Sequence, residues 1–426
     1  MALTSLQIAI VGFGTAGQAA AVLLSRDGHS VQVFEQTSKL GPVGAGFLLQ
    51  PVGLQVLWEM GLLAKAAAYG RRVERLYGET RKGRVVMDMR YMHLDPVLSG
   101  LGMQRGALFS ILAEALGSEV PIHCGRRIVA VSDDGRRICT ADGKSEGPFD
   151  LILCADGSAS LLRNGVGKRR IDKPYPWGAL WCLLAQGDWA YPRELRQRYL
   201  KARKMIGFLP VGTRPDDATA RLSFFWSLPA SEFDSWRARG IEPWLDEIKA
   251  LWPEARAQMG AIRDVDQLSR AGYRDVIPVD WYRDRVVLLG DAAHAMSPQL
   301  GQGVNMALLD ALAIRDALRM HTRLDEALSQ YQQLRSRHVS AYHFWSRWLT
   351  PLFQSELDLV AALRDLAFHP MGRVWGLRSL MLRVLSGTQL GAFGKFRLSD
   401  EFMLAFERLQ YQESAVALLE PSTEQE

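Results

Sequence analysis

The chain opens on an almost wholly apolar run, Leu6 to Gly12, within "IAIVGFGTAG". A run with so little alternation predicts a strand buried on both faces of a parallel sheet. Thr15 to Arg26 then carries helical periodicity, with Ala16, Ala20, Leu23 and Leu24 on one face and Gly28 as a C-terminal stop. A second strand, Ser30 to Phe34, ends at Glu35. Two later apolar strands run into turns of small residues: "FDLILCADGSASLLR" over 149–163, and "RVVLLGDAAHAMSPQLGQGVNMA" from Arg285, which opens a long helix over 303–319. "GMQRGALFSILAEAL" predicts an amphipathic helix headed by Arg105, with Leu108, Leu112 and Leu116 at helical spacing.

Between Tyr175 and Tyr273 the pattern shifts to short β-type runs, "GALWCLLA", "MIGFLPVG" and "RLSFFWSLP", with a helical stretch around Trp244 to Met259. "VERLYGETRKGRVVMDM" over 73–89 has hairpin character. Past Leu334, Phe344, Trp345, Trp348, Leu349, Leu352 and Phe353 recur at helical spacing, and Pro351 must break or kink that helix. These elements predict an α/β protein with a discontinuous Rossmann-like domain over 1–72, 101–174 and 276–333. A mostly antiparallel β-sheet domain is inserted over 73–100 and 175–275, and a helical region covers 334–426.

Composition narrows the class. At 48% hydrophobic and 23% charged, 426 residues suffice for one large or two modest domains, with disorder confined to the polar tail Pro421 to Glu426. The net charge of +5 comes without the basic tract of a nucleic-acid arm, so nucleic acid is not an expected partner. Four scattered cysteines contain no C-x-x-C pair, which argues against a metal site or disulfide framework and fits a reducing cytoplasm. The opening run lacks a basic leader, and no apolar run approaches a spanning helix in length, so a soluble or peripheral protein is expected.

Candidate chemistry begins at the first turn. Gly12 permits a tight reversal, Gly14 lets backbone approach a pyrophosphate, and Gly17 lets the helix sit close to the strand. The helix start at Thr15 and Ala16 offers unpaired N–H groups to phosphate. Glu35, eighteen residues past Gly17, stands where a carboxylate accepts ribose hydroxyls of adenosine. Asp291 ends a strand as a hydrogen-bond acceptor, and Gly301, Gln302, Gly303, Val304 and Asn305 begin a helix whose positive end suits an anionic ring edge.

Taken together, Gly12 to Gly17 with Glu35, Asp156-Gly157 and Gly290-Asp291 resemble the three fingerprints of the para-hydroxybenzoate hydroxylase-like, single-component flavin-dependent aromatic monooxygenases, over residues 6–330. The resemblance implies bound FAD, NADH or NADPH as a transient electron donor, and O2 carried as a flavin C4a-hydroperoxide to an aromatic or quinone-like substrate. It places Asp291 on the ribityl chain and the 301–305 helix start at the flavin's pyrimidine edge. Asp156 and Gly157 would lie near the pyrophosphate and NAD(P)H, although Asp156 equally suits capping of local N–H groups. Arg105 would reach the flavin or its phosphates, with a solvated helix-start charge as the alternative. The Ile128 backbone would meet the adenine, and the Pro298 carbonyl would lie over the flavin where substrate is held.

Trp181, Leu209, Phe224 and Trp226 are candidates to roof an apolar substrate pocket, though strand aromatics more often belong to a core. No protein base is identified; His294 is expected to be a turn histidine satisfied by nearby carbonyls. Residues 335–397 hold nine lysines or arginines against three acids, and "PLFQSELDLVAALRD" resembles in part the ubiquinone-type hydroxylases. That region is therefore either a membrane-peripheral surface or a helical cap or homodimer face. A flavin halogenase shares this fold, but its W-x-W-x-I-P run is missing here; a reductase of the same fold and a non-catalytic flavin-binding protein remain alternatives.

Overall fold

The computed structural model describes residues 3, 5–41 and 44–419; the tail Pro421 to Glu426 lies outside them. Gln7–Val11 sits inside a six-stranded sheet, between Leu151–Cys154 and Ser30–Phe34 and parallel to both. Ile8, Ala9 and Ile10 are fully buried, as a strand covered on both faces requires. Ile122–His123 and Val286–Leu288 extend the sheet in parallel, and only Tyr282–Arg283 at one edge runs antiparallel. The helix Thr15–Arg26 is buried over Ala16 to Leu24. Its run of alanines lets the helices Gly303–Met320 and Arg105–Leu116 approach it closely.

The second body is a seven-stranded sheet in the order Ser269–Pro278, Arg169–Ala185, Asp217–Pro229, Lys204–Arg214, Glu194–Leu200, Arg75–Thr80, Val85–Arg90. All its pairings are antiparallel except Glu194–Leu200 with Arg75–Thr80. Two strands overrun the expected boundaries at 174/175 and 275/276: Arg169–Ala185 and Ser269–Pro278 pass as one ladder between the bodies, with register shifts at Arg169/Ile171 and Pro174/Gly178. Glu194–Leu200 was not visible as a strand because "ELRQRYL" is too polar to read as one. Its charges are matched within the sheet, Glu194 by Arg75 at 3.1 Å and Arg198 by Glu79 at 2.8 Å.

The helical stretch expected at Trp244 to Met259 is Ile241–Leu251 and Arg256–Met259, separated by a 3-10 turn at Pro253–Ala255. Leu324–Phe353 continues past Pro351 and ends two residues later, so the proline acts as a terminator in the last turn. Asp358–Met371, Trp375–Ser386 and Asp400–Leu419 complete the helical region. Among the described residues no helix is long and apolar enough to cross a membrane.

Candidate functional site

A cleft of about 480 Å³ opens at the C-terminal ends of the central parallel strands. Gly12, Gly14 and Thr15 line it, as do Glu35, Arg105, Ile128, Asp156 and Gly157. The glycines at its floor are dictated by close approach. A Cβ on Gly12, whose φ is +102°, would stand 2.4 Å from the Ala155 carbonyl oxygen, and one on Gly17 would stand 2.0 Å from the Gly12 oxygen. Gly14 has nothing within 4 Å of its Cβ direction, so backbone is bared to the cleft.

Glu35 clamps this turn: Oε2 accepts from Phe13 N at 2.8 Å, and Oε1 accepts from Thr37 N at 2.9 Å. Gly14, the N-cap residue of Thr15–Arg26, makes no side-chain cap, which leaves the helix-start N–H groups unspent. Arg105, Arg126 and Arg127 add positive charge to the walls. Arg105 holds no ion pair among the described residues and lies 5.9 Å over the Phe47 ring. Burial pushes the Asp156 carboxyl up, against the Ser160 hydroxyl, and its Oδ1 has no hydrogen-bond partner. A bared helix start, three arginines and an orphaned acceptor suit a diphosphate-bridged dinucleotide.

The third loop adjoins this cleft. A Cβ on Gly290, at φ +57°, would come within 2.9 Å of Ala16 Cβ, so the first and third loops touch through small residues. Asp291 is exposed, with Oδ1 beside the position where a Gly303 Cβ would be, at 3.9 Å; Gly301 adopts φ +61°. Val304 is partly buried against the core. The Asn305 side chain and the Gln302 amide nitrogen are spent on the protein. Gln302 Nε2 donates to Leu385 O at 2.7 Å, Asn305 Oδ1 accepts from Gln50 N at 2.8 Å, and Asn305 Nδ2 donates to Leu48 O at 3.2 Å. Their backbone is left for a ligand, together with the buried Gln302 Oε1, which has no hydrogen-bond partner among the described residues.

Two residues that hold these loops were missed by sequence reasoning. Arg163 is 1% exposed and ties the second loop to the third, donating to Ser158 O at 2.6 Å and Ala292 O at 3.1 Å. Asp310 is fully buried and accepts from Gly290 N at 2.7 Å and Arg335 Nε at 2.6 Å. Its signal was an acid inside the apolar run "MALLDALAI". Burial would raise the Asp310 carboxyl, but His294 and Arg335 outweigh it and hold it below the ordinary value. His294 therefore differs from expectation: its Nε2 lies 2.6 Å from Asp310 Oδ2, a carboxylate and not a carbonyl, because a turn this deep brings the next helix within reach.

The roof candidates divide by strand parity. Phe224 and Trp226 face away from the cleft into a core with Phe208, Leu180 and Trp244, Phe224 being fully buried. Of the two alternatives left open for them, they take the core and not the roof of this cleft: alternate strand positions point to opposite faces, and these two share the phase of Leu222 and Leu228. Ser223, in the opposite phase, accepts from Gly46 N at 3.2 Å on the side of the parallel-sheet body. Trp181 donates through Nε1 to Tyr273 Oη at 3.2 Å and packs on Phe225 at 5.5 Å between centroids. Leu209 packs with Leu48 and Val211 and is 6% exposed. Pro298 begins a 3-10 turn, and the preceding Ser297 Oγ lies 2.5 Å from Ser346 Oγ.

Residues 5–346 match the family model described as "FAD binding domain". The chain belongs to the FAD-binding-domain family. This flavoprotein is 27% identical over 345 residues to an FAD-dependent urate hydroxylase of Klebsiella pneumoniae, an alignment covering 78% of this chain and 86% of that one. It resembles the structure of pqsL, a probable FAD-dependent monooxygenase from Pseudomonas aeruginosa, with a TM-score of 0.71 and 26% identity over 85% of this chain and 99% of the other. It shares its fold with Klebsiella pneumoniae HpxO complexed with FAD and uric acid, with a TM-score of 0.74, 22% identity and coverage of 88% and 97%. By this descent the flavoprotein is an FAD-dependent monooxygenase.

Proposed function

We propose that this flavoprotein hydroxylates an apolar aromatic or quinone-like small molecule with NADH or NADPH and O2, in the cytoplasm. Bound FAD supplies the electron transfer from the nicotinamide and the activation of dioxygen. The protein's part is to bind, orient and exclude water. The N–H groups at Gly14 to Gly17 and the Arg105 guanidinium take the pyrophosphate, with Asp156 and Gly157 beside it. Glu35 keeps acceptor capacity for the adenosine ribose, since a carboxylate offers about four lone-pair sites. The Ile128 backbone meets the adenine, Asp291 holds the ribityl chain, and the helix start at Gly301 to Asn305 turns its N–H groups to the flavin ring.

The Trp181–Tyr273 pair carries the substrate reading. Indole nitrogen only donates, so the Tyr273 oxygen accepts and its own hydrogen remains free for a ligand acceptor. Burial raises the Tyr273 phenol still further from neutral pH. A single donor in an apolar, aromatic wall suits a ring with one carbonyl or phenol oxygen.

The test follows NADH and NADPH oxidation across phenols, quinolones and quinone precursors, with hydrogen peroxide measured alongside. Coupled product formation supports the proposal. Flavin that never bleaches with either nicotinamide would leave a non-catalytic flavin binder. Asp291→Ala is expected to weaken FAD binding about tenfold to a hundredfold, the worth of one hydrogen bond to a charged group; unchanged affinity would remove Asp291 from the ribityl chain.

A further inference from the structure

The helix Asp358–Met371 is apolar on its exposed face as well as on its covered one. Its covered face carries Ala361, Phe368 and Arg364, whose guanidinium donates to Leu352 O at 2.8 Å and Lys201 O at 3.1 Å. Its exposed face is Leu359, Ala362, Leu363, Leu366 and Ala367, without a charge. Val374, Trp375 and Leu377 continue the exposed apolar surface, with Leu359 74% and Trp375 78% exposed. A surface helix ordinarily presents polar residues to solvent, and an apolar stripe of this continuity marks an interaction surface.

Charge decides the partner. No Asp or Glu occurs from Leu366 to Ser399, whereas Arg373, Arg378, Arg383, Lys395 and Arg397 all do. A second copy joined by a two-fold axis would set this cationic stretch against itself. An anionic headgroup layer would neutralise it, while the leucines enter the acyl boundary and Trp375 rests at the interface. We propose that this face docks the flavoprotein on the surface of an anionic lipid bilayer. The proposal is independent of the substrate reading.

The full chain is floated with vesicles of phosphatidylcholine alone and of phosphatidylcholine mixed with phosphatidylglycerol. Binding is expected to the anionic vesicles, to weaken in high salt, and to fall about tenfold or more in Leu363→Glu/Leu366→Glu and in Arg373→Glu/Arg378→Glu. Both pairs lie outside the flavin cleft, so flavin content reports that each variant is folded. Equal binding to both vesicle types, no binding, or unchanged binding in the variants overturns the proposal. So does a dimer, seen by sedimentation velocity, that Leu363→Glu/Leu366→Glu splits while neither vesicle captures the wild type.

Discussion

Two loops beside the cleft are built by opposite means. The turn at Gly12 to Gly17 is shaped by missing side chains: carbonyl oxygens stand where Cβ atoms would be, at 2.4 and 2.0 Å. The segment from Gly290 to Asn305 is held mainly by polar side chains, Asp310 on its N–H, Arg163 on its carbonyls, and its own Asn305 reaching across to Gln50 and Leu48. Apart from the Glu35 clamp on Phe13 N, the first loop rests on close steric approach, and apart from the tight fit of Gly290 on Ala16, the third rests on buried hydrogen bonds and an ion pair. They should fail under different insults.

Asp310→Asn is the severest test of the third loop. It leaves Arg335, 3% exposed, without its counter-charge, and a broken buried pair costs about 3–5 kcal/mol. Chemical denaturation should show that loss together with weakened flavin retention; a midpoint equal to wild type would mean the loop stands without its carboxylate. Gly17→Ala attacks the first loop by overpacking alone and should cost about 1–3 kcal/mol at every pH and salt concentration. Salt dependence of that loss would blur the distinction between the loops.

Acid supplies the mildest test. His343, on the helix against the Pro298 turn, is held down to about 3 by burial first and then by His294 and Arg347, and neither ring nitrogen has a hydrogen-bond partner. The unfolded chain takes up that proton near the ordinary histidine value of 6.5, the folded chain only near 3. Stability is therefore complete above 6.5 and declines on acidification through that window, by about 1.4 kcal/mol per pH unit for one proton. His343→Leu should flatten the pH profile by that slope, as read by thermal melts between pH 6 and 4. A profile identical to wild type would show that His343 already carries its proton when folded.

Legibility in the sequence followed the range of the forces involved. Thr15–Arg26 and Ser30–Phe34 begin and end where periodicity put them, because glycines and apolar spacing act over a few residues. The three loops were legible for the same reason. For Phe224 and Trp226 residue type favoured a core place over the pocket roof but could not say which core, because strand phase is set by pairing with Cys182 and Leu180 across the sheet. Glu194–Leu200 was hidden because most of its charges find partners far along the chain, Glu194 on Arg75 and Arg198 on Glu79 and Glu254.

By itself, the chain's order of residues determined the strand–turn–helix units, their three glycine-marked loops and the body into which a second sheet is inserted. Tertiary structure alone decided that Asp310 and Arg163 would hold those loops, that Trp181 would meet Tyr273, and that the helix Asp358–Met371 would hide its arginine and show its leucines. Local sterics are written in neighbouring residues; the pairing of a buried charge depends on a partner far along the chain that only folding brings within hydrogen-bond reach.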